Sequence, residues 1–127
     1  MVVRRRILVA DDNAVIRKTL CHLFADHETL EICDEAVNGQ EAVAKAIQHR
    51  PHLVILDLSM PIMSGLQAAE AIHSVLPEVP IILFTLYAEA ISESRVSISG
   101  IARVVSKLEI RSVVGHAEDL VRRAWPA

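Results

Sequence analysis

Short runs of consecutive apolar residues alternate along the chain with longer segments in which apolar residues recur every three or four positions. Such runs lie at residues 7–10, 53–56 and 81–84, and two less regular runs lie at 30–37 and 102–106. Runs of this length predict strands that are buried on both faces. The segments between them predict amphipathic helices, so the sequence predicts five repeats of a strand followed by a helix.

Signals for the beginnings and ends of helices support this assignment. Asp11-Asp12-Asn13 is a strong start signal, Asn38-Gly39 is a turn, and Pro51 prevents any continuation of the helix before it. We predict helices after residue 13 and over residues 40–48, 65–76 and 110–124. The segment 87–98 is ambiguous, because its apolar face is thin and serine and β-branched residues weaken the helical pattern.

The repeats predict a single domain of the α/β class. Five strand–helix repeats with short loops indicate right-handed crossover connections. The composition, 52% hydrophobic, fits a parallel sheet covered by helices on both faces. A chain of 127 residues without a linker or low-complexity tract fits one domain over residues 1–127, with a folded core at about 5–124.

The net charge and the lengths of the apolar stretches argue against several classes of protein. The net charge of −3 argues against a nucleic-acid-binding surface. No apolar stretch approaches the roughly 18 residues of a membrane span, and the apolar run after Arg4 to Arg6 is too short for a signal peptide. We therefore predict a cytoplasmic protein, in which Cys21 and Cys33 are small buried hydrophobic residues.

Polar side chains stand at the carboxyl ends of four predicted strands. Asp11 and Asp12 follow the first strand, Asp57 ends the third, Thr85 ends the fourth and Lys107 follows the fifth. In open α/β sheets, ligands bind outside the carboxyl ends of the strands. We therefore expect these side chains to gather at one edge of the sheet.

The chemistry of this set points to a metal ion and a phosphoryl group. Carboxylates about 4 Å apart repel by about 4 kcal/mol at an effective dielectric near 20, and Mg²⁺, which prefers oxygen ligands, relieves that repulsion. A lysine adds positive charge, and a threonine hydroxyl can donate to a phosphoryl oxygen. Phosphoryl transfer needs positioning and charge neutralisation, and carboxylates are known nucleophiles in it.

Each residue also has an ordinary structural interpretation. A residue of the segment 11–13 could cap the first helix, and Asp57 could accept hydrogen bonds from a loop. Thr85 suits a strand because it is β-branched, and Lys107 could be a simple strand-end charge. The complete set is far less readily explained in this way than any single member.

Three stretches resemble the receiver domains of bacterial response regulators. They are ILVADD at residues 7–12, LVILDLSMP at 53–61 and MSG at 63–65, and the spacing to Thr85 and Lys107 also fits. Each motif alone is weak, but their ordered combination is specific, and the likeness covers essentially the whole chain.

The resemblance implies a doubly wound five-stranded parallel sheet of order 2-1-3-4-5 in a flavodoxin-like three-layer α/β/α fold. It implies that Asp57 takes a phosphoryl group from the phosphohistidine of a sensor histidine kinase or a phosphotransfer protein. Lys107 would contact the phosphoryl group, and Thr85 would move toward it and switch a partner or output domain.

The resemblance also implies the metal ligands. Asp12 and Asp57 would bind Mg²⁺ directly, Asp11 would act through water, and the backbone carbonyl of Ser59 would complete the protein ligands. Mn²⁺ is a second candidate. Such a domain catalyses its own metal-dependent phosphorylation and dephosphorylation without being a turnover enzyme, and itself binds neither nucleic acid nor membrane. A homodimer stays open.

Three positions depart from the family pattern, and one of them is Leu86, which follows Thr85 where small residues are common. Val104 occupies a position on the fifth strand that is usually Tyr or Phe, so we expect the signal to reach the output surface by another route or weakly. Leu108 follows the lysine where proline across a cis bond is usual. Because a cis non-proline bond costs about 3–4 kcal/mol, we predict a trans Lys107–Leu108 bond.

Three other functions remain as alternatives. A haloacid-dehalogenase-type phosphatase would need a second aspartate two residues after the nucleophile, where Ser59 stands. A flavodoxin-like carrier is disfavoured, because no phosphate-binding Gly- or Ser/Thr-rich loop follows the first strand. A phosphate-independent interaction module with the same fold is the more serious alternative, given Val104 and Leu108.

Overall fold

The computed structural model describes residues 3–126, so residues 1, 2 and 127 of the predicted domain lie outside the described part. Its centre is a five-stranded parallel sheet of order β2-β1-β3-β4-β5. The strands are Arg5–Ala10 (β1), Leu30–Ala36 (β2), Leu53–Asp57 (β3), Ile81–Thr85 (β4) and Arg103–Ser106 (β5). The predicted α/β class and the strand order are confirmed.

Five α-helices follow the strands in turn. They are Ala14–Phe24 (α1), Gly39–His49 (α2), Gly65–Val75 (α3), Glu93–Ile98 (α4) and Ser112–Ala124 (α5). Asparagine or serine side chains cap the first four, and α3 begins with a reciprocal capping box between Ser64 and Gln67. Two of these caps, Asn13 and Asn38, lie in the start and turn signals read from the sequence, which therefore fix where α1 and α2 begin.

The core has two apolar layers, one on each face of the sheet. Alternate strand residues point to opposite faces, as in any strand. On one face Leu20 and Phe24 of α1 pack with Val113 and Ala117 of α5. On the other face the small and branched residues of α2 and α3 form the second layer. All residues of β3 and β4 are buried, which explains the high apolar content.

The structure refines several predictions. The ambiguous segment contains a 3₁₀ turn at Ala88–Ala90 and the six-residue α4. A second 3₁₀ turn, Lys107–Glu109, precedes α5, which therefore begins at Ser112 and not at residue 110. Trp125 belongs to the folded core beyond the predicted limit of 124, because its indole Nε1 donates to the carbonyl of His52 (2.8 Å).

The expectation of two buried cysteines is wrong. Cys21 and Cys33 are free and only partly buried. Cys33 is the extra residue of a bulge in the edge strand β2, between the partners of Ile7 and Leu8, and an edge strand has a neighbour on one side only. Burial still raises the pKa of both thiols.

Among residues 3–126 no helix combines the length and apolar character needed to cross a membrane.

Candidate functional site

Three carboxylates meet at the carboxyl edge of the sheet. Asp11 and Asp12 follow β1, and Asp57 is the last residue of β3. Each offers an oxygen, and the three oxygens all lie within 4.8 Å of one another. Asp11 is buried, Asp57 is 6% exposed and Asp12 is open to solvent. The edge therefore concentrates negative charge in a site that is accessible from one side.

The ammonium group of Lys107 joins two of these carboxylates. Its Nζ lies 2.7 Å from Oδ2 of Asp11 and 3.1 Å from Oδ1 of Asp57. The 3₁₀ turn after β5 orients this lysine, and the Ser106 hydroxyl supports the turn by accepting the N–H of Leu108 (3.1 Å). The Lys107–Leu108 bond is trans, so this prediction is confirmed, and Lys107 nonetheless reaches the site.

The environment perturbs both members of the central ion pair. Burial raises the pKa of Asp57, the hydrogen bond from Lys107 opposes the rise, and the charge of Asp11 adds to it. Burial would lower the pKa of Lys107, but hydrogen bonds to Asp11 and Asp57 outweigh it, so that pKa is raised. The lysine therefore stays charged beside an aspartate whose ionised form lacks full solvation.

Thr85 stands beside the carboxylates at the end of β4. Phe84 is opposite Asp57 in the parallel pairing, so Thr85 comes one residue further toward the carboxyl edge. It is buried, and its hydroxyl accepts the backbone N–H of Tyr87 (3.0 Å). The structure thus brings all five predicted side chains, three aspartates, a lysine and a threonine, to one edge of the sheet.

Asn13 caps α1, so neither Asp11 nor Asp12 serves as the cap of that helix. Oδ1 of Asn13 accepts hydrogen bonds from the backbone N–H groups of Val15 (2.9 Å) and Ile16 (3.2 Å). The backbone N–H of Asn13 in turn donates to Oδ1 of Asp11 (2.9 Å). Arg17, which sequence reasoning missed, donates from Nη1 to the carbonyl of Asp11 (2.8 Å). An arginine on a helix surface gives no sequence signal of this contact.

Gly65 controls the backbone of the residue that ends β3. Its N–H donates to the carbonyl of Leu58 (2.8 Å), and a Cβ at this position would lie 2.0 Å from the carbonyl oxygen of Asp57. The sequence identified Gly65 as a helix start and as part of the MSG stretch at residues 63–65, but gave no sign of this contact. The close approach to Asp57 gives a physical reason for a glycine there.

The donor set fits a hard divalent cation. Mg²⁺ prefers carboxylate and carbonyl oxygens, which this edge supplies. Oδ2 of Asp11 is buried, and Nζ of Lys107 lies 2.7 Å from it. The carbonyl of Ser59 has no hydrogen-bond donor within residues 3–126, whereas that of Leu58 accepts from Gly65.

Ile62, in the loop between β3 and α3, has a backbone conformation that is costly for its type. Its φ is 71° although it is β-branched, and it is 76% exposed. Left-handed backbone costs about 1–2 kcal/mol for an ordinary residue, and asparagine tolerates it better. We predict that Ile62→Asn raises the free energy of unfolding by about 1 kcal/mol in urea denaturation.

Ile98 is the matched control for that substitution, because it is 72% exposed but lies at the end of α4 with no positive φ. Ile98→Asn should not stabilise the protein. Equal effects of the two substitutions would show that exposure, and not backbone conformation, determines the result.

Comparison with known proteins identifies the family. The family model described as response regulator receiver domain matches residues 7–115. A protein-glutamate methylesterase/protein-glutamine glutaminase of Nocardioides is 36% identical over 121 residues, which are 94% of this chain and 33% of that protein. The chain spans a third or less of the first curated relatives that it matches.

Solved structures agree with this match. The response regulator domain of CheB from Thermotoga maritima has a TM-score of 0.82 and 26% identity, covering 98% of this chain and 96% of that one. The response regulator TrrA from the same organism, solved in complex with Mg²⁺-BeF, has a TM-score of 0.82 and 33% identity, covering 91% and 98%. The family model also spans most of the length of this chain, and the chain therefore belongs to the response regulator receiver domain family.

Proposed function

We propose that Asp57 accepts a phosphoryl group from the phosphohistidine of a sensor histidine kinase or phosphotransfer protein in two-component signal transduction. The main support for this proposal is that the Asp57 carboxylate is buried at the carboxyl edge of the sheet and contacts the Lys107 ammonium. A carboxylate oxygen of Asp57 forms a bond to phosphorus as the phosphorus–nitrogen bond breaks, and the electron pair of that bond returns to the imidazole.

Lys107 and Thr85 have separate roles in this proposal. Lys107 is already 3.1 Å from Asp57, so its charge stabilises the phosphoryl oxygens without reorganisation of the site. The Thr85 hydroxyl has no acceptor of its own within residues 3–126 and is available to donate to a phosphoryl oxygen. In this proposal Asp57 attacks the phosphorus atom, Lys107 neutralises the charge of the phosphoryl oxygens, and Thr85 responds to the bound group.

Asp12 and Asp57 would hold Mg²⁺ directly, Asp11 would act through water, and the Ser59 carbonyl would complete the protein ligands. When bound there, the ion would offset the negative charge of the carboxylates and of the phosphoryl oxygens. The convergence of three carboxylate oxygens within 4.8 Å supports this assignment. Nothing in the donor set selects Mn²⁺ over Mg²⁺.

Mg²⁺ should stabilise the protein measurably. Binding to the folded state alone contributes RT ln(1 + [L]/Kd), about 1.4 kcal/mol at ten times Kd. We predict an increase of that size in the free energy of unfolding between EDTA and Mg²⁺, and its loss in Asp12→Asn. Asp26→Asn, an exposed aspartate after α1, is the control and should keep the increase. An equal response of both variants would contradict the metal site.

We further propose that the domain is regulatory and does not turn over an external substrate. Its output would be a further domain or a separate protein, consistent with relatives that are much longer than this chain. The net charge of −3 supports a domain that does not itself bind nucleic acid. A cytoplasmic location fits its two free cysteines.

A phosphate-independent module is the alternative function. The complete acidic set, with Lys107 in contact with Asp11 and Asp57, opposes it, because a module without phosphoryl chemistry needs no buried cluster of this kind.

Intact mass after incubation with acetyl phosphate and Mg²⁺ tests the proposal. We expect a gain of one phosphoryl group that is lost in Asp57→Asn and in EDTA. No gain in folded protein would favour the alternative.

A further inference from the structure

A hydrogen bond links the acidic site to the exposed segment that follows β4. The buried hydroxyl of Thr85 accepts the N–H of Tyr87 at 3.0 Å. Tyr87 is the only tyrosine of the chain and is 60% exposed, whereas Phe24 and Phe84 are buried. The backbone of this exposed aromatic residue is therefore bonded directly to the hydroxyl of a site residue.

Tyr87 borders a groove that is also lined by Val104, the residue on β5 that stands where the family usually has Tyr or Phe. The groove, of about 640 Å³, is lined by Tyr87 together with Leu86, Val104, Leu108 and His116. Val104 is a small side chain in this position, so β5 contributes no aromatic ring to the groove. The phenol ring of Tyr87 and the imidazole of His116 are thus the aromatic rings of this groove.

The segment that carries Tyr87 is weakly held. Tyr87 precedes the 3₁₀ turn Ala88–Ala90, and neither that turn nor α4 has a buried residue. The carbonyl of Tyr87 accepts the N–H of Ala90 (2.9 Å), a local bond that moves with the turn. Segments with few buried apolar contacts rearrange at low free-energy cost.

We propose that Tyr87 reports the phosphorylation state of Asp57 at this surface; this inference rests on the proposed function. A phosphoryl group on Asp57 brings charged acceptor oxygens to the Thr85 hydroxyl, and hydrogen bonds to charged acceptors are about twice as strong as neutral ones. When Thr85 turns to donate to them, the Tyr87 N–H loses its acceptor. The 3₁₀ turn then rearranges and the Tyr87 ring takes a new position in the groove beside Val104.

The test uses protein labelled with 3-fluorotyrosine, which gives a single ¹⁹F resonance because the chain has one tyrosine. Acetyl phosphate and Mg²⁺ are added, and intact mass gives the phosphorylated fraction of the same sample. We expect a new resonance whose fraction follows the mass. Full phosphorylation with an unchanged resonance would overturn the inference and leave the proposed function standing. Absence of phosphorylation in folded protein would overturn both.

Thr85→Val tests the link without phosphate. The substitution removes the acceptor of the Tyr87 N–H, so the ¹⁹F resonance should already be displaced in unmodified protein and should no longer respond to acetyl phosphate. Thr19→Val is the control, because within residues 3–126 the Thr19 hydroxyl bonds only to the Val15 carbonyl of its own helix. Its resonance should match that of the unsubstituted chain. A resonance unmoved in Thr85→Val would overturn the inference whatever the phosphorylation result.

Discussion

Replacing Gly65 by alanine should lower the free energy of unfolding by about 3 kcal/mol, the upper end of the usual cost of overpacking. The new Cβ would lie 2.0 Å from the carbonyl oxygen of Asp57 and 3.0 Å from Cα of Leu58. Both are backbone atoms, so they cannot move aside as a flexible side chain would. Relief of the overlap displaces the end of β3, and phosphorylation of Asp57 should slow as well. Urea denaturation measures the first effect and intact mass against time the second.

Gly115 provides the control on the same chain. It lies within α5, and a Cβ there would meet no atom within 4 Å. Because glycine in a helix interior costs about 1 kcal/mol relative to alanine, Gly115→Ala should stabilise the protein by that amount. Surface substitutions usually change the free energy of unfolding by no more than about 0.5 kcal/mol. If Gly65→Ala changed it by no more than that, the proposed close packing at Asp57 would be wrong.

Replacing Lys107 by methionine should slow phosphorylation by acetyl phosphate by about 100-fold, the usual loss when one charge-stabilising group is removed. Methionine keeps much of the side-chain volume but leaves Asp11 and Asp57 without the ammonium group that lies within 3.1 Å of both. The free energy of unfolding in EDTA should also fall, by about 2 kcal/mol, because two buried carboxylates lose their partner.

Lys45→Met separates this role from loss of any lysine–carboxylate contact. Nζ of Lys45 lies 3.3 Å from Asp34 and 3.1 Å from Glu41, at the surface beside β2. Its replacement should leave the phosphorylation rate unchanged. A rate for Lys107→Met within threefold of that for Lys45→Met would remove Lys107 from the proposed chemistry.

Sequence pattern predicted the sheet because burial on both faces produces uninterrupted apolar runs. Residues 53–56 and 81–84 read as strands without ambiguity, and both lie in strands that are entirely buried. The acidic edge followed from the same pattern, since polar residues at the ends of adjacent parallel strands must come together. The strand order, in contrast, came from family resemblance, because apolar runs carry no information about which strands are neighbours.

Contacts made by backbone atoms were beyond sequence reasoning. A glycine at a helix start does not reveal that its Cα faces the carbonyl of Asp57, and an arginine on α1 does not reveal that it binds the carbonyl of Asp11. The hydrogen bond from Tyr87 to Thr85 is of the same kind. The segment after β4 stayed ambiguous for a physical reason, because its turn and short helix bury no residue and so carry little apolar pattern.

The most direct test of the central claim is to locate the phosphoryl group. An acyl phosphate on aspartate is reduced by borohydride to homoserine, which marks the acceptor permanently for peptide mass spectrometry. After treatment with acetyl phosphate and Mg²⁺, we predict homoserine at residue 57, with residues 11 and 12 unchanged and no homoserine in Asp57→Asn. Homoserine at residue 11 or 12, or none at all in folded protein, would contradict the assignment of Asp57 as the phosphoryl acceptor.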